Sequence, residues 1–256
     1  MLPIRAILRG EHLQRLIHIE SKVDRLLDGK TFGGHPDQAF GHITYAQFGE
    51  DLIIANIFSM LGIQRPSYLD VGAHHPIKIS NTALFYLRGS RGVNVEANPN
   101  CIDEFRGLRP EDVNLNVGVG PMRGTLDFYY IDDWSGRNTF DRKAAEEFVA
   151  ANPQFKISKI EKIPVVTLDH IVAENMAGKW PDFLSIDIEG MDFAVIESAH
   201  LGRDAPSVIC VEAVSGSGSD ASKPLANLLK TRGYAPFCRT VGNVIFVQNE
   251  ALTKLT

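Results

Sequence analysis

Cysteine is scarce and poorly placed for cross-linking. The 256 residues contain three, Cys101, Cys210 and Cys238, far apart and without C-x-x-C spacing. That excludes a disulfide framework or a cysteine-rich zinc site and fits free thiols in a reducing compartment. A basic excess is also missing: 26 Lys and Arg face 31 Asp and Glu, a net charge of −5. A phosphate backbone needs an unbalanced positive face, so no nucleic-acid partner is expected. No apolar run approaches the ~20 residues of a membrane span. Nor does the start of the sequence show an uninterrupted apolar stretch followed by a small-residue cleavage site. The expectation is a soluble cytoplasmic protein with no transmembrane segment. No internal repeat is visible.

What is present is an ordinary globular composition, 44% hydrophobic and 22% charged, on a chain long enough for one α/β domain with an appendage. Residues 1–43 read as an N-terminal amphipathic helix followed by a Gly/His-rich linker. Leu13, Leu16, Val23 and Leu27 share one face of that helix, which would pack on the core or on a second copy, giving a homo-oligomer. Residues 44–256 read as the main domain. Helical spacing runs over 45–61 and strands are predicted at 68–71, 92–96, 114–119 and 125–130. Residues 138–151 read as a helix, and Val165-Val166 as a strand leading to a helix capped by Thr167. The dense apolar runs 183–188 and 208–211 suit central parallel strands covered on both faces. S-G-S-G-S at 215–219 reads as a flexible loop. A helix near 222–232 and a hairpin, 235–239 with 243–247, close the chain. The alternation predicts an α/β fold: a mostly parallel, doubly wound, Rossmann-like sheet with a terminal antiparallel hairpin.

The strand at 68–71 leads into D-V-G-A-H-H-P at 70–76. A dinucleotide site needs G-x-G-x-x-G, whose glycines let backbone and a helix N-terminus meet a pyrophosphate. Only the first glycine is here, and His74, His75 and Pro76 would crowd a pyrophosphate. A cofactor without phosphate removes the demand, and S-adenosylmethionine is one. Asp70 would then face its ammonium and sulfonium groups, and Gly72 would let the chain pass close to it. Glu96, 26 residues on at a strand end, stands near the spacing at which an acid accepts from ribose hydroxyls. An NAD-linked oxidoreductase on a related sheet and an inactive binding module are the alternatives.

Five blocks in fixed order resemble the FkbM family of methyltransferases: Y-A-Q-F-G-E-D-L-I at 45–53, Y-L-D-V-G-A at 68–73, I-S-N-T at 79–82, V-E-A-N-P at 95–99 and F-L-S-I-D-I-E-G at 183–190. The resemblance spans about residues 44–248. It implies a class I methyltransferase fold, S-adenosylmethionine as donor, and O-methylation of a saccharide or glycosylated natural product, as in polysaccharide biosynthesis. It departs at His74 and His75, where relatives often carry Asn and an acid or Gly. Residue by residue, it places Gln47 and Asp51 near the donor's amino-acid end and Asn98 on the ribose side. Asn116, Val117 and Gly118 fall beside the adenine, and Ala73, His74, Asn81, Ala97 and Asp187 are expected among the donor contacts.

On the acceptor side a hydroxyl must lose a proton, to a base or to a metal. Asp187 and Glu189 would emerge at the carboxyl end of the sheet on one side of the strand, with Glu212 at the end of the next strand. Two readings stay open. The three carboxylates hold magnesium, or the site is metal-free, Asp187 serves alone at the cofactor amine or as the base, and Glu189 caps the following helix. His74 and His75 are the other candidate bases. Trp134 and Arg137 are candidate walls of a sugar site.

Overall fold

The computed structural model describes residues 42–202, 204–213 and 220–255. The predicted N-terminal helix, with the oligomer contact assigned to it, the linker up to residue 41 and the loop 215–219 lie outside the described residues.

Among the described residues, ten strands form two sheets. Strands β1 (Tyr68–Val71), β2 (Gly92–Val95), β3 (Val113–Leu115), β7 (Phe183–Ile186), β8 (Val208–Glu212), β9 (Tyr234–Arg239) and β10 (Asn243–Gln248) make a seven-stranded sheet in the order β3-β2-β1-β7-β8-β10-β9. The first five are mutually parallel, and β10 runs antiparallel to both β8 and β9. The terminal hairpin on a parallel sheet is as expected. Alternation splits the core in two. Leu69, Val71, Leu184, Ile186, Ile209 and Val211 pack on one face. That layer takes in α5 (Leu168–Asn175), α6 (Asp192–Ser198) and α7 (Ser222–Thr231) through Ile171, Val195 and Leu225. Tyr68, Phe183, Val208 and Cys210 point to the other face, against Ile54, Ile57 and Phe58 of α1 (Glu50–Met60), Phe85 of α2 (Ala83–Leu87) and Ala251 of α8 (Asn249–Leu252). Helix α3 (Pro99–Leu108) follows β2, and α4 (Arg142–Ala151) lies further along the chain, before α5.

Four predicted boundaries move, each for a visible reason. The run 114–119 is not one strand. It breaks after β3, because the Asn116 side chain turns back to donate to the carbonyls of Glu96 and Ala97 at 2.9 and 3.0 Å. Gly118–Val119 (β4) then starts a small sheet, β4-β6-β5, with Lys159–Val166 (β6) and Gly124–Tyr130 (β5). The run 183–188 stops at Ile186, because Glu189 and Gly190 turn left-handed, φ 51° and 111°. The 45–61 segment becomes helical only at Glu50. Before it, Thr44 Oγ1 and the Tyr45 N–H donate to the buried Asp51 carboxylate at 2.6 and 2.7 Å. Helix α4 opens at Arg142 because Asp141 accepts from the N–H groups of Lys143 and Ala144. Thr167 caps α5 as expected, accepting from the His170 N–H at 3.2 Å.

Candidate active site

A cleft of about 250 Å³ opens at the carboxyl ends of the central strands, the place where open parallel sheets bind ligands. Its walls come from the ends of β1, β2 and β7, from β4, and from the strap 135–140 that follows β5.

The turn after β1 explains the shape of one wall. Gly72 has φ 76°, and a Cβ there would sit 1.8 Å from the Asp187 carbonyl oxygen. Glycine is needed because two strand ends touch, a different reason from the cofactor approach expected of it, although Gly72 also lines the cleft. The backbone donors of the turn are consumed inside the protein. The N–H groups of Gly72 and Ala73 both go to the Val95 carbonyl, at 2.9 and 3.1 Å, that of His74 goes to Glu96 Oε2 at 2.9 Å, and that of His75 to the Ala73 carbonyl. Residue 76 is proline. The helix that follows the turn, α2, starts only at Ala83 and has five residues. The turn is therefore no anion cradle.

Several expected site residues meet in the cleft: Gln47, Gly72, His74, Glu96, Ala97, Val117, Gly118, Asp187 and Glu189. Glu96 accepts from His74 and, through Oε1, from the Asn98 N–H at 2.8 Å. Burial raises its carboxyl above the usual range, and those N–H bonds oppose the rise. Burial lowers the His74 imidazole, against the pull of Asp132 and Glu104. His74, Ile79 and Glu189 all line the cleft in the left-handed region, at φ 51°, 53° and 51°. Ile79 escaped the sequence reading. A β-branched residue there is strained, and such strain persists only where neighbours enforce it.

The structure places other expected residues outside the cleft wall. Alternation along β1 sends the Asp70 side chain to the Tyr68 face, away from the cleft. It is 4% exposed and accepts from Thr82 Oγ1 at 2.5 Å. Asp51 is likewise internal. Ala73 packs against Ile102 and Phe105. Asn81 donates to Ser185 Oγ at 3.1 Å. Asn98 is the buried cap of α3, accepting from the Asn100 N–H and donating to the Asp133 carbonyl. Asn116 latches the 96–97 backbone as described. His75 lies outside the cleft wall: its Nδ1 accepts from the N–H groups of Ile77 and Lys78 at 3.0 and 2.9 Å, and its Nε2 faces Glu104 at 3.3 Å. Trp134 is exposed and outside the cleft wall, whereas Arg137 forms part of it.

Asp187, Glu189 and Glu212 do converge. One carboxylate oxygen from each lies within 4.8 Å of the others, the one such acidic or histidine-cysteine group of three among the described residues. The means differs from the expected alternation. The strand has ended, and the left-handed turn at Glu189 swings its side chain back. Glu189 does not cap α6. Asp192, the first residue of α6, instead closes the turn before the helix, accepting from the N–H groups of Ile188 and Gly190 at 3.1 and 3.2 Å. Arg137 Nη1 approaches Glu189 Oε1 at 3.5 Å, and Thr139 Oγ1 donates to the Glu189 carbonyl at 2.8 Å, so the strap is tied to the trio. Burial, and then the Glu189 charge, push the Asp187 carboxyl well up. Burial, and then Asp187, push that of Glu212 up to about 10.

These shifts carry a stability consequence. The folded protein keeps the Glu212 proton up to about pH 10, while the unfolded chain releases it near 4.5. Across that window the native state binds more protons, so stability falls as pH rises. Glu212→Gln is expected to flatten the slope and to be the more stable protein by on the order of 1–2 kcal/mol at about pH 9, with little difference near pH 4. Urea unfolding at both pH values checks this, and parallel profiles for the two proteins would contradict it.

Residues 70–235 match the Methyltransferase FkbM domain family. Among solved structures, the chain is similar to methyltransferase FkbM from Methylobacillus flagellatus KT, with 13% identity, a TM-score of 0.45, and coverage of 72% of this chain and 44% of that one. It is also similar to a TehB-like SAM-dependent methyltransferase from Corynebacterium glutamicum, with 12% identity, a TM-score of 0.40, and coverage of 91% and 98%. A third is the Burkholderia thailandensis 1,6-didemethyltoxoflavin-N1-methyltransferase, with 13% identity, a TM-score of 0.37, and coverage of 94% and 89%. The chain thus spans less than half the length of the Methylobacillus protein. No curated protein matches it.

Proposed function

The chain belongs to the FkbM family of methyltransferases, and on that premise we propose that it transfers a methyl group from S-adenosylmethionine to a hydroxyl of a saccharide or glycosylated small molecule. One observation carries the donor. The turn 72–76 has spent its backbone N–H groups within the protein, and the cleft presents Glu96, Asp187 and Glu189 against Arg137. Such a site offers a pyrophosphate no backbone donors and suits a phosphate-free nucleoside.

The residues then divide the work. Glu96 is ionisable, stands at the end of β2, and has both oxygens fixed by backbone N–H groups. It is assigned to the ribose hydroxyls. Val117 and Gly118 are assigned to the base, Gln47 and His74 to the amino-acid end. When bound, the donor supplies a methyl group activated by its sulfonium. The chain aligns the acceptor oxygen with it and takes the acceptor's proton. Asp187 is assigned that proton, because burial and the neighbouring acids raise its proton affinity toward that of a useful base. The same three carboxylates have the oxygen chemistry of a divalent-cation site such as magnesium, which would favour the hydroxyl's ionisation by a different route.

The test is transfer of a labelled methyl group from S-adenosylmethionine into a glycan panel, with and without chelator. Label in a glycan hydroxyl supports the reading, loss of label under chelator selects the cation route, and no label in any glycan contradicts the acceptor class. Separately, Glu96→Gln is expected to weaken S-adenosylhomocysteine binding by roughly 10- to 100-fold, since charge-assisted bonds are worth about 1.5–3 kcal/mol. Calorimetry checks this, and unchanged affinity would remove Glu96 from the donor site.

A further inference from the structure

Behind the cleft, on the face of β1 that carries Tyr68 and Asp70, lies a polar network that no step above uses. Its centre is Arg109, fully buried just past α3. Its Nε donates to Asp112 Oδ2 at 2.9 Å and its Nη2 to Tyr68 Oη at 2.8 Å. Its Nη1 donates to Thr82 Oγ1 at 3.0 Å and approaches the Pro76 carbonyl at 3.4 Å. Thr82 passes the contact on to Asp70 Oδ2. Asp70 is the register partner of Ser185 in β7, which accepts from Asn81. One guanidinium thus grips the turn 72–82 at its middle and its end, and ties it to β1 and to the start of β3.

That turn is costly to hold. It contains two non-glycine residues in the left-handed region, His74 and Ile79, each of them strained. Burying a guanidinium is costly as well, and an apolar side chain of similar volume is the cheaper way to fill a core. What the guanidinium adds is directional bonds to a fixed backbone path. His74 and Ile79 are the residues of the turn that its path delivers to the cleft, with Gly72 at its start.

We propose that Arg109 is a positioning residue for donor binding, acting through Thr82 and the Pro76 carbonyl on the turn 72–82. It rests on the donor reading given above. The ligand never touches Arg109. Loss of the network lets the turn relax out of its strained path, and the contacts of His74 and Gly72 with the donor go with it.

The test uses S-adenosylhomocysteine as probe, by calorimetry on the full chain at a temperature well below each variant's melting midpoint. Thr82→Val keeps the shape and deletes the hydroxyl, Thr82→Ser restores it, and Arg109→Lys keeps the charge but loses the fork. The expected result is about tenfold weaker binding (~1.4 kcal/mol) for Thr82→Val and Arg109→Lys, with Thr82→Ser within about twofold of wild type. If Arg109→Lys does not fold, the valine–serine pair decides. Folded Thr82→Val with wild-type affinity, whatever its melting temperature, makes the network purely structural and overturns the proposal. Wild-type protein that does not bind the probe overturns the donor assignment and this inference with it. Binding by wild type and every variant alike overturns this inference alone.

Discussion

Asp187→Asn is expected to slow methyl transfer by about 10²–10⁴-fold, the usual contribution of a positioned general base, while S-adenosylhomocysteine affinity stays within about threefold. Both halves follow from position. Asp187 follows directly on β7, where its N–H continues the pairing by donating to the Val71 carbonyl at 3.0 Å. Its carboxyl is held in the cleft beside Glu189 and Glu212. Asparagine keeps the size and the polar surface but cannot take a proton. Rate measurements on a glycan that accepts label, paired with calorimetry, separate the roles. A collapse of probe affinity with little further loss of rate would move Asp187 from the acceptor side to the donor's amine. An unchanged rate would remove it from the chemistry.

Gly72→Ala is expected to cost roughly 3–5 kcal/mol of folding stability, near the top of what single substitutions do. Two penalties coincide. Alanine resists φ 76°, and its methyl carbon would lie 1.8 Å from the Asp187 carbonyl oxygen and 2.8 Å from its carbon. Both neighbours are backbone, so neither can swing aside. Relief requires parting β1 from β7 where they meet at the cleft. Gly107→Ala is the control: it lies in α3 with nothing within 4 Å of an added Cβ, where alanine should gain up to ~1 kcal/mol in helix propensity. Chemical denaturation of both variants checks the pair, and a Gly72→Ala protein as stable as wild type would show that the turn is not held against β7 as described.

The central strands were legible because they are short, apolar and covered on both faces, and the hairpin because its turn chemistry is local. Boundaries failed where side chains bond backbone across the chain, as Asn116 does in ending β3 and Asp51 in delaying α1. The place of Gly72, Glu96 and Asp187 in the cleft wall was legible from their position at strand ends. The direction of Asp70 was also readable in principle. Period-two alternation puts it with Tyr68 and opposite Val71, on the face where it accepts from Thr82. His75 was unreadable, since nothing in H-H-P-I-K announces a ring that accepts from its own turn. Arg109 left one faint sign, the i, i+3 pair with Asp112 in R-P-E-D. An arginine so placed is far more often exposed than buried.

The central claim is that this cleft takes a cationic, phosphate-free nucleoside donor, and parallel calorimetric titrations of the full chain with S-adenosylhomocysteine and with NADH test it most directly. Saturable 1:1 binding of S-adenosylhomocysteine, abolished or strongly weakened by Glu96→Gln, with no heat from NADH, is the predicted result. Saturable NADH binding, or no binding of S-adenosylhomocysteine by folded protein, would contradict it.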